Sequence, residues 1–331
     1  MRIKRLLRTI VIVALLGLIS FYVRIDYYLV VPSRAVDLSR LIEVENAAEV
    51  KRGTFYLVTV TQQRANLLMA AYGLIHPYME LRSIETVLPR DMDEVEYREL
   101  LAEYMVESQH MAQVVALRRV GYEVGIISEG VEIVDFLDDA PAEGYLDVGD
   151  KITSVNGNFV FLASEIPLLV QKYYPGEEVP LAIVRDSKEL NLLVPTGSHP
   201  DDSEMAFLGI YIRTLPWKPE IPIDISMNTG NIGGPSAGLM FVLEIMNQLL
   251  PEDIAAGKKI AGTGTIDFNE TVGRVGGVTQ KVVAAERAGA EYFLVPQSNY
   301  DEAVKGAGNI EIIAVESLDD VLAFLGTLNN N

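Results

Sequence analysis

The sequence predicts an α/β (α+β) domain in the C-terminal part of the chain, preceded by a small mostly-β domain and by an N-terminal transmembrane helix. Three observations carry that reading. From residue 198 onward, strand-like runs alternate with helical ones, the layer pattern of α/β folds. Between residues 121 and 196, short β-rich runs are separated by turn signals, among them Asn156-Gly157. Near the start, Thr9–Val23 is uncharged and mostly apolar and follows Arg2, Lys4, Arg5 and Arg8.

That apolar run has fifteen residues, between the length of a signal-peptide core and that of a full bilayer span. No Ala-x-Ala cleavage site follows it. It is therefore read as an uncleaved signal anchor, with the apolar YYLVV up to Val31 beyond Arg24 and Asp26, and a cleaved signal peptide as the alternative. The basic start should stay in the cytoplasm by the positive-inside rule, which leaves the rest of the chain outside. Pro32–Arg52 reads as a lead-in, Thr54–Thr61 as a strand and Arg64–His76 as a short amphipathic helix. Asp91–Arg119 is a longer helical stretch, with acids early and Arg118-Arg119 late to suit the helix dipole.

Composition removes several functions. Acids outnumber bases 46 to 27 among 331 residues, and no basic patch follows the first ten, so nucleic acid is not an expected partner. With no cysteine there is neither a thiol nucleophile nor a thiolate metal site. His76, His110 and His199 do not form H-E-x-x-H, and no G-x-x-x-x-G-K-[ST] phosphate loop occurs, so neither that zinc site nor an ATPase of the chain's own is expected.

The most informative stretch is Asn231–Leu250, NIGGPSAGLMFVLEIMNQLL. It is apolar on nearly every face of a helix, as a buried helix must be. Pro235 fits the first helical turn, and Pro251 fits the far end. Ser236 is thus expected at the N-terminus of a central helix, where free N–H groups and the helix dipole favour a developing oxyanion. A simple N-cap serine after a glycine turn fits the same residues. Gly234–Gly238 also matches the G-x-S-x-G elbow, but that fold places its histidine after the serine, and here every histidine precedes it.

A lysine is the base that remains. After Gly276-Gly277 a helix is expected, with Gly289 as its stop. On it, Val278, Lys281, Val282, Ala285 and Ala288 form one apolar stripe. A core-facing lysine loses part of its affinity for a proton and can serve as a general base near neutral pH. Snorkelling of Lys281 past the stripe to solvent is the competing reading.

Taken together, GPSAG, then T-G-x-I, then GGVTQK and FLVP at Phe293–Pro296 resemble the proteolytic domain of the Lon peptidases over roughly residues 198–328. The resemblance implies a serine–lysine dyad, with Ser236 as nucleophile, Lys281 as base and Thr263 supporting the lysine by a hydrogen bond. The backbone N–H groups of Gly234 and Ser236 are the oxyanion candidates. Lon-like domains often assemble into rings, which makes a homo-oligomer an open expectation.

The order of elements in residues 121–196, with Ala140-Pro141-Ala142, Leu146 through Gly149-Asp150 and Val155-Asn156-Gly157, resembles a PDZ domain. Such domains bind an extended peptide as an added strand. The resemblance implies a carboxylate loop at Gly121-Tyr122-Glu123-Val124, although these residues depart from the usual G-L-G-F.

The expected organisation is a basic start and anchor in residues 1–31 and an extracytoplasmic region in 32–119 packing on the later domains. A PDZ-like domain follows in 120–197, then a Lon-like proteolytic domain in 198–331. The expected function is ATP-independent, membrane-anchored serine endopeptidase activity on extracytoplasmic peptides or unstructured segments, without metal or other cofactor. A non-catalytic, membrane-tethered peptide-binding module is the alternative from another class, and an esterase sharing the serine is a third.

Overall fold

The computed structural model describes residues 20–48, 51–88, 92–163, 165–199 and 202–329. They fall into two compact units: one built from the two ends of the chain, up to Val124 and from Ile221 on, the other from Gly125–Glu220. In chain order the first unit opens with strand β1 (Arg24–Asp37), β2 (Thr54–Asn66), helix α1 (Leu67–Ile75), β3 (Glu80–Ser83) and the long helix α2 (Glu94–Arg119). The second unit supplies β4 (Val131–Phe136), β5 (Lys151–Val155), α3 (Glu165–Val170), β6 (Glu178–Arg185), β7 (Lys188–Pro195) and β8 (Ile210–Thr214). The chain returns to the first unit with α4 (Gly238–Leu249), β9 (Lys259–Gly262), α5 (Val278–Arg287), β10 (Tyr292–Pro296), α6 (Tyr300–Gly306), β11 (Glu311–Val315) and α7 (Leu318–Asn329).

The first unit is built on a mixed sheet of order β11-β10-β9-β2-β1-β3. Strand β9 runs parallel to both β2 and β10, with Ala261 beside Tyr56 on one side and Phe293 on the other. Strands β2, β1 and β3 are antiparallel neighbours. The N-terminal region thus does more than pack on the later domain: it forms half of that domain's sheet. Tyr28, Leu29 and Val30, read as the far end of the anchor, are buried in β1 between β2 and β3. A strand covered on both faces is continuously apolar, so composition does not separate it from an adjoining anchor. The anchor run itself lies, up to residue 19, outside the described residues. Among the described residues no helix is long and apolar enough to cross a membrane.

Two helices fix the serine segment. Asp93 caps α2 through a reciprocal box with Glu96, and the C-terminal half of α2 is largely buried. Helix α4 is buried along the whole of Gly238–Asn247. It lies close to β9 because residue 262 is glycine: a Cβ there would stand 2.6 Å from the Met240 sulfur and 2.9 Å from Leu294 Cβ.

In the second unit the sheet order is β7-β6-β5-β4-β8, around a core that includes Ile133, Ile152, Leu181 and Ile183. Residues 198–220, expected to open the C-terminal domain, belong here. Gly197–His199 pairs with Asp202–Phe207, β8 pairs with β4, and Trp217–Glu220 pairs with Gly125–Ser128. The expected boundary near 197 fell at a polar stretch whose flanking strands pair with each other, and the unit runs from 125 to 220.

Candidate active site

Ser236 sits on a turn one residue before the N-cap of α4, which is Ala237. Pro235 therefore lies outside the helix rather than in its first turn, and Ser236 does not cap it. The turn is held from several sides. The Gly234 N–H donates to the Leu101 carbonyl of α2 at 2.7 Å, and Ser108 Oγ donates to the Pro235 carbonyl at 3.1 Å. The Gly264 N–H donates to the Ser236 carbonyl at 2.9 Å, and the Leu239 N–H to the Gly264 carbonyl at 3.1 Å. Gly234 has φ +91°, a backbone that a side chain would strain.

Lys281 comes from the first turns of α5, and the structure brings it to Ser236. Its Nζ lies 2.8 Å from Ser236 Oγ and 2.9 Å from Thr263 Oγ1. Thr263 Oγ1 in turn donates to the Ser236 carbonyl at 2.9 Å. With its proton committed there, the threonine offers a lone pair to the amine and fixes where the amine points. Lys281 is 4% exposed, so it does not snorkel. Burial lowers its pKa from 10.5 to about 8, against an opposing pull from the charge of Glu302.

The start of α5 is clamped by residues that sequence reasoning passed over. The Val278 N–H donates to Glu302 Oε1 at 2.8 Å, Thr279 Oγ1 donates to the Glu302 carbonyl at 2.9 Å, and the Val275 N–H donates to Asn299 Oδ1 at 3.0 Å. Glu302 thus both holds the helix carrying Lys281 and places a negative charge near its amine. Four residues from Asn299 to Glu302 follow the Phe293–Pro296 strand closely, and that proximity was the available signal.

The hydroxyl and amine open onto a cleft of about 820 Å³ whose walls include Val60, Arg82, Arg98 and Leu101. Among the described residues that line it there is no Asp or Glu, although the chain as a whole is strongly acidic. Among the described residues no group of three or more acidic, histidine or cysteine side chains could hold a metal ion.

Two expected assignments change. Gly234 cannot offer its N–H to an oxyanion, because Leu101 already takes it. The Ser236 N–H makes no hydrogen bond among the described residues and stays available. Gly121–Val124 is not a peptide loop of the second unit. The Gly121 N–H donates to the Arg118 carbonyl and the Tyr122 N–H to the Leu117 carbonyl, with Gly121 at φ +96°. That is a Schellman motif closing α2, and it explains the glycine without any ligand. The apolar groove of the second unit lies instead between α3 and the Phe207–Ile210 run leading into β8, with Ile166, Val170 and Leu208 in its walls. In Phe207-Leu208-Gly209-Ile210 the leucine and glycine of G-L-G-F recur in order, at a place sequence reading had assigned to a different domain.

Comparison with known proteins bears on the same part of the chain. Residues 217–326 match the Lon protease (S16) C-terminal proteolytic domain. The archaeal Lon protease of Methanocaldococcus jannaschii is 35% identical over 111 residues, which cover 34% of this chain and 17% of that protein. Lon protease 2 of Bacillus subtilis is 35% identical over 114 residues, covering 34% of this chain and 20% of that protein. The matched part thus spans about a fifth or less of these relatives. Among solved structures, the PDZ domain of an SdrC-like protein from Listeria monocytogenes is similar over 26% of this chain and 90% of its own, at 22% identity and a TM-score of 0.24. Residues 217–326 are therefore similar to a Lon-type proteolytic domain, in a chain of mixed α/β fold.

Proposed function

We propose that the protein is an ATP-independent serine endopeptidase working through a Ser236–Lys281 dyad. The observation that carries the reading is a lysine amine buried from water and 2.8 Å from a serine hydroxyl on a cleft wall. In its neutral form the amine takes the Ser236 Oγ proton as Oγ attacks a peptide carbonyl carbon. The resulting ammonium returns that proton to the leaving amine, and an acyl-enzyme remains. Water then attacks the ester, giving its proton to Lys281 and releasing the acid while Ser236 recovers its hydroxyl proton. The Ser236 N–H is the donor best placed to meet the oxyanion. Thr263 orients the amine.

The substrates of this reading are peptides or unstructured segments, since the sequence carries no phosphate loop for an unfolding motor. The N-terminal run anchors the chain in a membrane with the catalytic unit outside the cytoplasm, supported by its apolarity and the basic residues before it. The groove between α3 and Phe207–Ile210 receives an extended peptide along β8, the end strand of its sheet. A homo-oligomer is part of this reading through the resemblance to Lon-type domains alone.

The test is hydrolysis of casein, short peptides and simple esters by the wild type, Ser236→Ala and Lys281→Ala, with and without ATP. Peptide cleavage that needs both side chains and ignores ATP is expected. Ester turnover alone favours an esterase. Absence of any turnover, or turnover surviving either substitution, removes the dyad and leaves a peptide-binding module.

A further inference from the structure

Helix α1, LLMAAYGLI, is folded with its apolar side chains outward. From Ala65 to Met79 the chain has no Asp, Glu, Lys or Arg. Within α1 only Gly73 is buried. That glycine lets the helix press on the sheet: a Cβ there would lie 2.7 Å from Leu29 Cδ1. The large side chains face away, with Leu68 48%, Tyr72 51%, Leu74 79% and Ile75 79% exposed. A helix on a water-facing surface ordinarily turns a polar face outward, and a contiguous apolar surface marks a contact with something else.

What covers it is indicated by its neighbour. Asn66, the N-cap of α1, donates from its side-chain amide to the Phe21 carbonyl at 3.0 Å, and Arg24 pairs with Asn66 across β1 and β2. Phe21 and Tyr22, 59% and 73% exposed, therefore adjoin the helix. They are also the last residues but one of the uncharged run Thr9–Val23. If that run crosses a bilayer, the membrane surface meets the folded unit at this point. Tyrosines beside a flat apolar helix are the side chains that suit the headgroup boundary.

We propose that the outward face of α1, with Phe21 and Tyr22, lies in the headgroup and upper acyl region of the bilayer as a second, interfacial membrane contact. This rests on the membrane reading of the N-terminal run but concerns different residues. The contact is apolar rather than electrostatic, because a chain of net charge −19 gains nothing from anionic lipid. It would hold the catalytic unit against the membrane instead of leaving it on a loose tether.

The chain has no cysteine, so single-cysteine labelling is clean. The full chain is reconstituted in phosphatidylcholine vesicles with an environment-sensitive fluorophore at Leu74→Cys, Tyr22→Cys or Val13→Cys. A fourth label, at Val304→Cys, sits on an exposed position of α6 and serves as control. Nitroxides are carried on the lipid headgroup or deep on the acyl chain. The labels at 74 and 22 should be blue-shifted and lose most of their emission to shallow nitroxides, whereas the label at 304 should not. The label at 13 should respond to deep nitroxides and reports the anchor by itself. Quenching at 13 without quenching at 74 overturns the interfacial contact and leaves the anchor standing. Quenching at 74 without 13 upholds the contact and removes the spanning segment. A label at 74 that is blue-shifted yet indifferent to nitroxide lipid means that protein, such as a second copy, covers the face, and overturns the proposal. Loss of both signals overturns both.

Discussion

Replacing Lys281 with methionine should abolish activity and make the first unit more stable. Burial takes the lysine pKa from 10.5 to about 8. Those two and a half decades of proton affinity correspond to about 3 kcal/mol that the native state loses at pH 7 by holding a protonated, desolvated amine. The hydrogen bonds from Nζ to Ser236 Oγ and Thr263 Oγ1 offset about 1 kcal/mol each. Methionine is unbranched and polarizable, fills much of the same space and carries no charge. The net expectation is a gain of about 1 kcal/mol at pH 7. The sole tryptophan, Trp217, lies in the other unit, so hydrogen exchange of the α5 amides is the appropriate readout. Dependence on pH gives a second readout. Between about 8 and 10.5 the native amine has lost its proton while the unfolded chain keeps its own, so the unfolded state binds more protons and wild-type stability rises with pH. The methionine variant should lack that rise. A variant less stable at pH 7, or one with the wild-type pH slope, would refute the claim that the amine is strained by desolvation.

Three further outcomes follow from the same site. The acid limb of kcat/KM for peptide hydrolysis should climb about tenfold per pH unit and level off near the lysine pKa of about 8. Glu302→Gln should move that midpoint down, because the carboxylate charge raises the lysine pKa while an amide oxygen can still accept from the Val278 N–H. Thr263→Val removes the hydroxyl between Lys281 and the Ser236 carbonyl and should lower kcat by roughly tenfold or more, while Thr263→Ser keeps most of the rate. Steady-state kinetics on one fluorogenic peptide checks all three substitutions and pH effects together.

The sequence was legible where a local pattern narrowed the environment to one or two. An apolar stripe carrying a lysine could mean only burial or snorkelling, and the structure places Lys281 at 4% exposure. A helix apolar all round had to be central, as α4 is. Long-range pairing was harder to read. Nothing local marks Tyr28–Val30 as the middle of a sheet completed by residues more than 200 positions later, because parallel pairing of β2 with β9 leaves no turn between them. The same holds for Gly234, whose N–H partner is Leu101 on a helix far upstream. Gly121 misled for a different reason: a glycine with positive φ serves a helix C-cap as well as a ligand loop, and only the hydrogen bonds to Leu117 and Arg118 decide between them. The second unit's end was missed because Ser198–Asp202 has linker composition, although the strands on either side of it pair within that unit.

The most direct measurement is the rate at which a serine-directed phosphonate labels the full-length protein, followed by intact mass and peptide mapping. The account predicts one adduct on Ser236, formed with a pH midpoint near the lysine pKa of about 8 and all but lost in Lys281→Ala. An adduct elsewhere, or labelling of Ser236 at the same rate without Lys281, would contradict it.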